Sequence, residues 1–168
     1  IEIAPTEIVT INAKFGLFKT IGGDGNTIVN NIIGTNANSD AGLGNRRGIF
    51  INGPRNNIVG GPDASQRNIL SGNSQDGVVI LSVNRNQFLA DRQHNVVTGN
   101  YIGTDVSGMK ALGNSGDGIR IEGGASNILG GLVSFGGGNV ISGNGEAGIR
   151  LTINLRDAEP EAVNPSSV

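Results

Sequence analysis

An internal repeat constrains the fold of this chain more than any other feature. The stretch "NNIIGTNANSDAGLGN" (30–45) returns as "GNYIGTDVSGMKALGN" (99–114), a shift of 69 residues (100 − 31). The shift is 70 residues for "GIFINGPRNNIVGG" and "GIRIEGGASNILGG" (118 − 48), and 71 for "NILSGN" and "NVISGN" (139 − 68). Such small slips are typical of loop insertions between copies of one structural unit. The chain therefore contains two copies of a unit of about seventy residues.

A shorter rhythm lies inside each copy. Gly-apolar-x-apolar tetrads begin at Gly48, Gly77, Gly118 and Gly148, with spacings of 29, 41 and 30 residues. Short apolar runs led by Asn, such as "NTIV" and "NILG", lie between them. No segment keeps a 3.6-residue period, so the runs are predicted to be strands bounded by turns. The sequence predicts an all-β parallel β-helix, a solenoid of about four to five rungs with three short strands per rung.

The composition agrees with a core of stacked aliphatic side chains. Gly accounts for 29 of 168 residues and aromatics for only 4%, so Ile, Val and Leu must form the core. Alternation within the tetrads predicts inward ladders of Ile49, Ile51, Val78, Ile80, Ile119, Ile121, Ile149 and Leu151. Asn residues at equivalent corners are expected to stack their amides, Asn68 over Asn139 and Asn73 over Asn144.

Charge and cysteine usage exclude several classes of function. The net charge of -2 and the absence of Lys/Arg clusters argue against nucleic-acid binding. No apolar run reaches the roughly twenty residues of a membrane span. Without Cys the chain has no disulfide framework and no thiolate ligands. We predict no cofactor and no tightly bound metal.

The repeat divides the chain into three parts. Residues 1–25 are strand-like but off the repeat, which predicts either a cap or a connector between subunits. Residues 26–155 are the β-helix, and the polar residues 156–168 are a tail or linker.

Four charged residues are the candidates for chemistry. The outward tetrad positions are Phe50, Val79, Arg120 and Arg150, which places the two arginines one rung apart, with Glu122 beside Arg120. They could clamp an anionic sugar, or they could be ordinary solvated residues. Asp76 and Asp117 both precede a tetrad Gly and are predicted to share a corner. They could do acid/base work or bind Ca²⁺, but turn composition alone also explains Asp before Gly.

Other motifs are weaker. His94 is the sole His, which makes a zinc site improbable. "IGGDGNTI" (21–28) is similar to a glycine-rich Ca²⁺ nonapeptide but occurs once. Sugar platforms use exposed aromatics, and the chain has only Tyr101 besides five Phe.

The stretch "NYIGTDVSGMKALGNSGDGIRIEGGASNILGG…GNVISGNGEAGIRL" resembles the right-handed parallel β-helix repeat found in tandem in large bacterial secreted and cell-surface proteins. The likeness covers roughly residues 26–151. It implies an extracellular or cell-surface location. The "IGTDVSGMKALGN" segment is expected to be a corner loop that bends at Gly103, Gly108 and Gly113.

Two functions of different classes follow. One is a non-catalytic structural module that forms a homo-oligomer, a fibre, by end-to-end stacking. The other is a carbohydrate-active β-helix enzyme, a polysaccharide lyase or hydrolase or a phage-type depolymerase, that uses Arg120, Arg150, Asp76 and Asp117.

Overall fold

A computed structural model describes residues 19–21, 24–38, 41–53, 55–81, 94–123, 126–131 and 137–152. These residues form thirteen short strands and one 3₁₀ turn, Ala64–Gln66. The strands are β1 (Lys19–Ile21), β2 (Thr27–Ile28), β3 (Ile32–Ile33), β4 (Ile49–Asn52), β5 (Ile58–Gly60), β6 (Ile69–Leu70), β7 (Val78–Leu81), β8 (Val96–Thr98), β9 (Tyr101–Ile102), β10 (Ile119–Glu122), β11 (Ile128–Leu129), β12 (Val140–Ile141) and β13 (Ile149–Thr152).

The strands form three parallel sheets with a regular order. One sheet runs β1-β4-β7-β10-β13, the second β2-β5-β8-β11 and the third β3-β6-β9-β12. Each successive group of three strands from β2 onward is one rung, so the described residues contain four full rungs preceded by β1. The predicted all-β parallel β-helix is confirmed.

Inward side chains stack in columns along the axis. Ile49, Val78 and Ile119 lie in register and are fully buried, and Ile51, Ile80 and Ile121 form a second buried column. Aliphatic columns from the other two sheets join the same core.

The predicted burial of the last pair is wrong. Ile149 and Leu151 continue the two columns, in register with Ile119 and Ile121. They are nevertheless 46% and 68% exposed. β13 has a neighbour only on the β10 side within the described residues, so these side chains have the right direction but no cover.

Asparagine side chains form columns at three corners. Asn31 donates both its backbone N–H and its amide Nδ2 to Oδ1 of Asn68, and Asn68 does the same to Asn100. Asn100 donates in the same way to Asn139. Asn68 and Asn139 therefore share a column as predicted, but the stack between them is not direct, because Asn100 lies between.

The other two columns follow the same rule. Asn73 and Asn144 are likewise separated by Asn114, which bonds to both of them. The third column contains Asn26, Asn57, Asn95 and Asn127. These amides satisfy buried backbone groups at corners where the strands end.

One column is broken at the first rung. Asn45 stands three residues before its tetrad Gly, whereas Asn73, Asn114 and Asn144 stand four before theirs. The buried Nδ2 of Asn45 and Oδ1 of Asn73 consequently have no hydrogen-bond partner in the described part of the chain. The missing residue coincides with the change of the repeat shift from 69 to 70.

The seventy-residue repeat corresponds to two rungs of different type. In the first and third rungs a hairpin joins the second strand to the third, and antiparallel bridges close it at Thr35–Gly42 and Thr104–Ala111. We call these hairpin rungs. In the second and fourth rungs the same corner is a compact Ser-Gly-Asn turn at 71–73 and 142–144, and we call these short-turn rungs.

The predicted corner loop is confirmed as this hairpin between β9 and β10. Gly103 and Gly108 have φ of 86° and 73°, which suits glycine at a bend. Gly113 does not have a positive φ, and is needed for another reason: a Cβ there would collide with the backbone of Gly143.

The two flanking parts are mostly outside the described residues. Of the predicted cap or connector, Lys19–Ile21 form β1, which pairs in parallel with β4. The predicted tail, 156–168, lies outside entirely. No helix in the described part of the chain has the length and hydrophobicity to cross a membrane.

Candidate functional site

The four charged residues predicted from sequence meet in one polar groove. Arg120 and Arg150 project from the outer face of β10 and β13, while Asp76 and Asp117 lie at the corners that enter β7 and β10. The groove has a volume of about 420 Å³. Its lining also includes Arg46, Arg47, Gln75, Glu122 and Glu146. Together with Arg120, Arg150, Asp76 and Asp117, the groove therefore contains four guanidinium groups and four carboxylates.

The outward column on this sheet has the predicted register but one member is buried. Phe50, Val79, Arg120 and Arg150 follow one another on successive strands. Val79 is fully buried although it alternates with inward residues, because it lies between Phe50 and Arg120 in this column.

Asp76 connects the second rung to the third. Its carboxylate is buried, and Oδ1 accepts the backbone N–H of Asp117 at 3.0 Å. Oδ2 lies 3.1 Å from Nη2 of Arg120 and 4.0 Å from Nε of Arg47. Both oxygens therefore have partners within the protein.

Asp117 repeats this arrangement one rung further along. Oδ1 accepts the N–H of Ala147 at 3.0 Å, and Oδ2 accepts Nε of Arg150 at 2.7 Å. Burial raises the pKa of Asp117, but the hydrogen bonds from Arg150 and Ala147 outweigh burial, and the pKa lies below its ordinary value. The carboxylate is thus held ionised.

The arginines are shared between two acids each. Arg120 also contacts Glu122 at 2.8 Å, and Arg150 contacts Glu146 at 2.7 Å. The hydrogen bond and charge of Asp117 raise the pKa of Arg150 above its ordinary value.

Arg46 and Arg47 complete the other end of the groove, and sequence reasoning did not select them. Arg46 donates Nε to Gln75, and the guanidinium of Arg47 lies 4.8 Å from the ring centre of Phe50. Burial, followed by repulsion from Arg46 and Arg120, lowers the pKa of Arg47. Their positions before the tetrad Gly48 were the available signal, since Asp76 and Asp117 occupy the equivalent corner.

This network connects rungs, which limits the chemistry it can do. A general acid needs a raised pKa, whereas that of Asp117 is lowered. A nucleophile or base needs an accessible lone pair, but both aspartates are buried and accept from guanidinium and backbone donors. Among the described residues, no three His, Cys, Asp or Glu side chains are grouped to hold a metal ion.

The weaker motifs also have local structural contacts. Asp24, from the glycine-rich "IGGDGNTI", accepts the N–H of Arg55 in the next rung at 2.6 Å. The guanidinium of Arg67 lies 4.0 Å from the ring centre of Tyr101 and covers this aromatic. His94 is exposed and immediately precedes Asn95.

No protein-family model, curated protein or solved structure matches this chain.

Proposed function

We propose that this chain is a non-catalytic structural module of an extracellular or cell-surface assembly, and that its copies stack end to end into a fibre. The observation that supports end-to-end stacking most directly is the exposure of Leu151. This side chain is 68% exposed, although the preceding members of its column, Ile51, Ile80 and Ile121, are buried. Covering the exposed end of an aliphatic column with another rung lowers the free energy, because apolar surface is removed from water.

The backbone of the last rung supports the same proposal. Gly48, Gly77 and Gly118 each donate their N–H to a carbonyl of the following rung. Gly148 holds the equivalent position, and no described residue accepts from it. Each such bond, once made, contributes about 0.5–1.5 kcal/mol. Polar and apolar groups of the last rung thus favour the same kind of partner.

The resemblance to the right-handed parallel β-helix repeat of bacterial secreted and cell-surface proteins supports the proposed setting. The charged groove also fits a structural role, because Asp76 and Asp117 bond each rung to the next.

The alternative function is that of a carbohydrate-active enzyme, either a polysaccharide lyase, a hydrolase or a phage-type depolymerase. The groove of about 420 Å³ with four arginines favours it, since guanidinium groups bind anionic sugars. Release of sugars from a polysaccharide panel, abolished by Arg120→Ala or Asp76→Ala with the fold intact, would establish this function instead.

The stacking proposal is tested by light scattering and negative-stain microscopy over a range of protein concentrations. We expect filaments or growing oligomers for the unaltered chain, and monomers for Leu151→Lys. Met109→Lys is the matched control, because Met109 is 89% exposed on the hairpin of the third rung and is not a member of the column that ends at Leu151. Monomers of the unaltered chain at every concentration, or equal assembly of the two variants, would refute the proposal.

A further inference from the structure

The short turn of the second rung contacts a hairpin on each side. On one side a Cβ on Gly72 would lie 2.7 Å from Cα of Gly42, in the hairpin of the first rung. On the other side the N–H of Gly72 donates to the carbonyl of Leu112, in the hairpin of the third rung, at 3.0 Å. A short-turn rung is therefore built to lie between two hairpin rungs.

Among the described residues, the fourth rung has only one of these two neighbours. A Cβ on Gly143 would lie 2.9 Å from Cβ of Ala111, so the third-rung hairpin packs against it as the first packs against Gly72. No described residue accepts the N–H of Gly143 in the way that Leu112 accepts that of Gly72. The open end thus lacks a hairpin rung specifically.

We propose that the open end docks the first hairpin rung, residues 24–53, of a second copy of this chain. This inference rests on the proposed end-to-end assembly and identifies the element that each copy contributes. Head-to-tail docking of a fourth rung on a first rung preserves the alternation of short-turn and hairpin rungs, because the four described rungs begin with a hairpin rung and end with a short-turn rung.

The two surfaces are complementary position by position. Ile49 and Ile51 of the second copy continue the columns of Ile149 and Leu151. Leu43 of its hairpin, the equivalent of Leu112, brings a carbonyl to the N–H of Gly143. Exposed Arg46 holds the same position before its tetrad Gly as exposed Glu146, so opposite charges meet at the edge.

Within the described part of the chain, docking requires that β13 of the neighbouring copy displace β1. In the second copy β1 pairs with β4 through three residues, at the edge that β13 would take. β13 offers four residues, as β7 and β10 do in their pairings. Ile28 and Ile33 stay covered in the exchange, since Leu129 and Ile141 of the neighbour continue their columns.

The first test weakens β1. Thr20→Pro removes a backbone donor from this strand, so a larger fraction of the chains offers a free β4 edge. The apparent dissociation constant of assembly is then expected to fall about tenfold, in proportion to the competent fraction. The double variant Thr20→Pro with Leu151→Lys should not assemble. Weaker assembly of Thr20→Pro, with slow hydrogen exchange kept at Ile49 and Ile51, would mean that residues around β1 connect the copies, and would overturn the inference while leaving end-to-end stacking intact.

The second test asks which rung type the open end accepts. Two versions of the full chain carry an extra rung between residues 152 and 153, each joined through a copy of residues 53–55. One receives a copy of the hairpin rung 94–122 and the other a copy of the short-turn rung 56–81. We expect the amide of Gly143 to exchange at least about tenfold more slowly in the hairpin version only. Equal protection in both versions would overturn the choice of rung, even if the unaltered chain forms filaments; monomers of the unaltered chain would refute the assembly itself.

Discussion

The first and last rungs contain the same kinds of residues in the same columns, but only one of them is buried. Ile49 and Ile51 of the first rung are fully buried, while Ile149 and Leu151 of the last rung, in the same two columns, are 46% and 68% exposed. All four are aliphatic residues at inward positions of short strands. β4 of the first rung lies between β1 and β7, whereas β13 has only β10 beside it among the described strands. The difference teaches that burial in a solenoid depends on the strands stacked on both sides of a residue, and not on the residue or its own strand alone.

The largest expected difference in stability is between two variants that place a charge at different rungs of the same column. Ile121→Asp puts a carboxylate among buried aliphatic side chains, and we expect a loss of about 4 kcal/mol or more in the free energy of unfolding. Leu151→Asp, one rung further along the same column, should cost less than about 1 kcal/mol in the monomer. Urea unfolding measures both. A large loss for Leu151→Asp would show that the last rung is covered in solution.

Asparagine columns sharpen the comparison with polar groups. Asn114 is buried, bonds to Asn73 and Asn144, and donates to the carbonyl of Leu70. Asn114→Ala leaves several of these groups without partners, so we expect a cost of about 3 kcal/mol. Asn144→Ala removes an amide that has a column neighbour on one side only among the described residues, and should cost about half as much. Equal costs in thermal or urea unfolding would contradict the idea that the column weakens toward its end.

Asp117 tests the contact between the third and fourth rungs. Its folded pKa is depressed, so its contribution to stability is fully present above the unfolded value of about 3.9 and is lost as pH falls through the folded pKa. Asp117→Asn should cost about 1 kcal/mol at pH 7, because Arg150 is 44% exposed and water screens the pair.

The pH dependence provides the check on this variant. Below about pH 4 the difference in unfolding free energy between Asp117→Asn and the unaltered protein should shrink. A difference that is constant from pH 7 to pH 3 would mean that the ionised carboxylate is not what holds the last rung.

The sequence periodicity was sufficient to predict which residues form the columns, but not which of them are exposed at the end of a column. Gly-apolar-x-apolar tetrads identified Ile49, Ile80 and Ile121 as core, because alternation within a strand is local. The exposure of Leu151 could not follow from such a pattern, since it depends on what lies beyond β13. The direct stacking of Asn68 on Asn139 was wrong because the seventy-residue repeat comprises two rungs, and the intervening Asn100 belongs to a rung of the other type.

The sequence was sufficient to predict that these four charged residues lie together, but not which hydrogen bonds they form. The offset before each tetrad Gly placed Asp76 and Asp117 together, and the outward positions placed Arg120 and Arg150 beside them. The cross-rung bonds from Asp76 to the N–H of Asp117, and from Asp117 to Ala147, were beyond sequence reasoning because they depend on how each corner backbone turns.

The asparagine columns also give the solenoid a structural polarity along its axis. Every hydrogen bond between two carboxamides in these columns runs from Nδ2 of one rung to Oδ1 of the next, so the amide dipoles add along the axis and the two ends of the solenoid differ. Two last rungs brought face to face would set donors against donors. A two-fold symmetric dimer through this end is therefore disfavoured, and the polarity built into each corner would extend through any array of copies, however long.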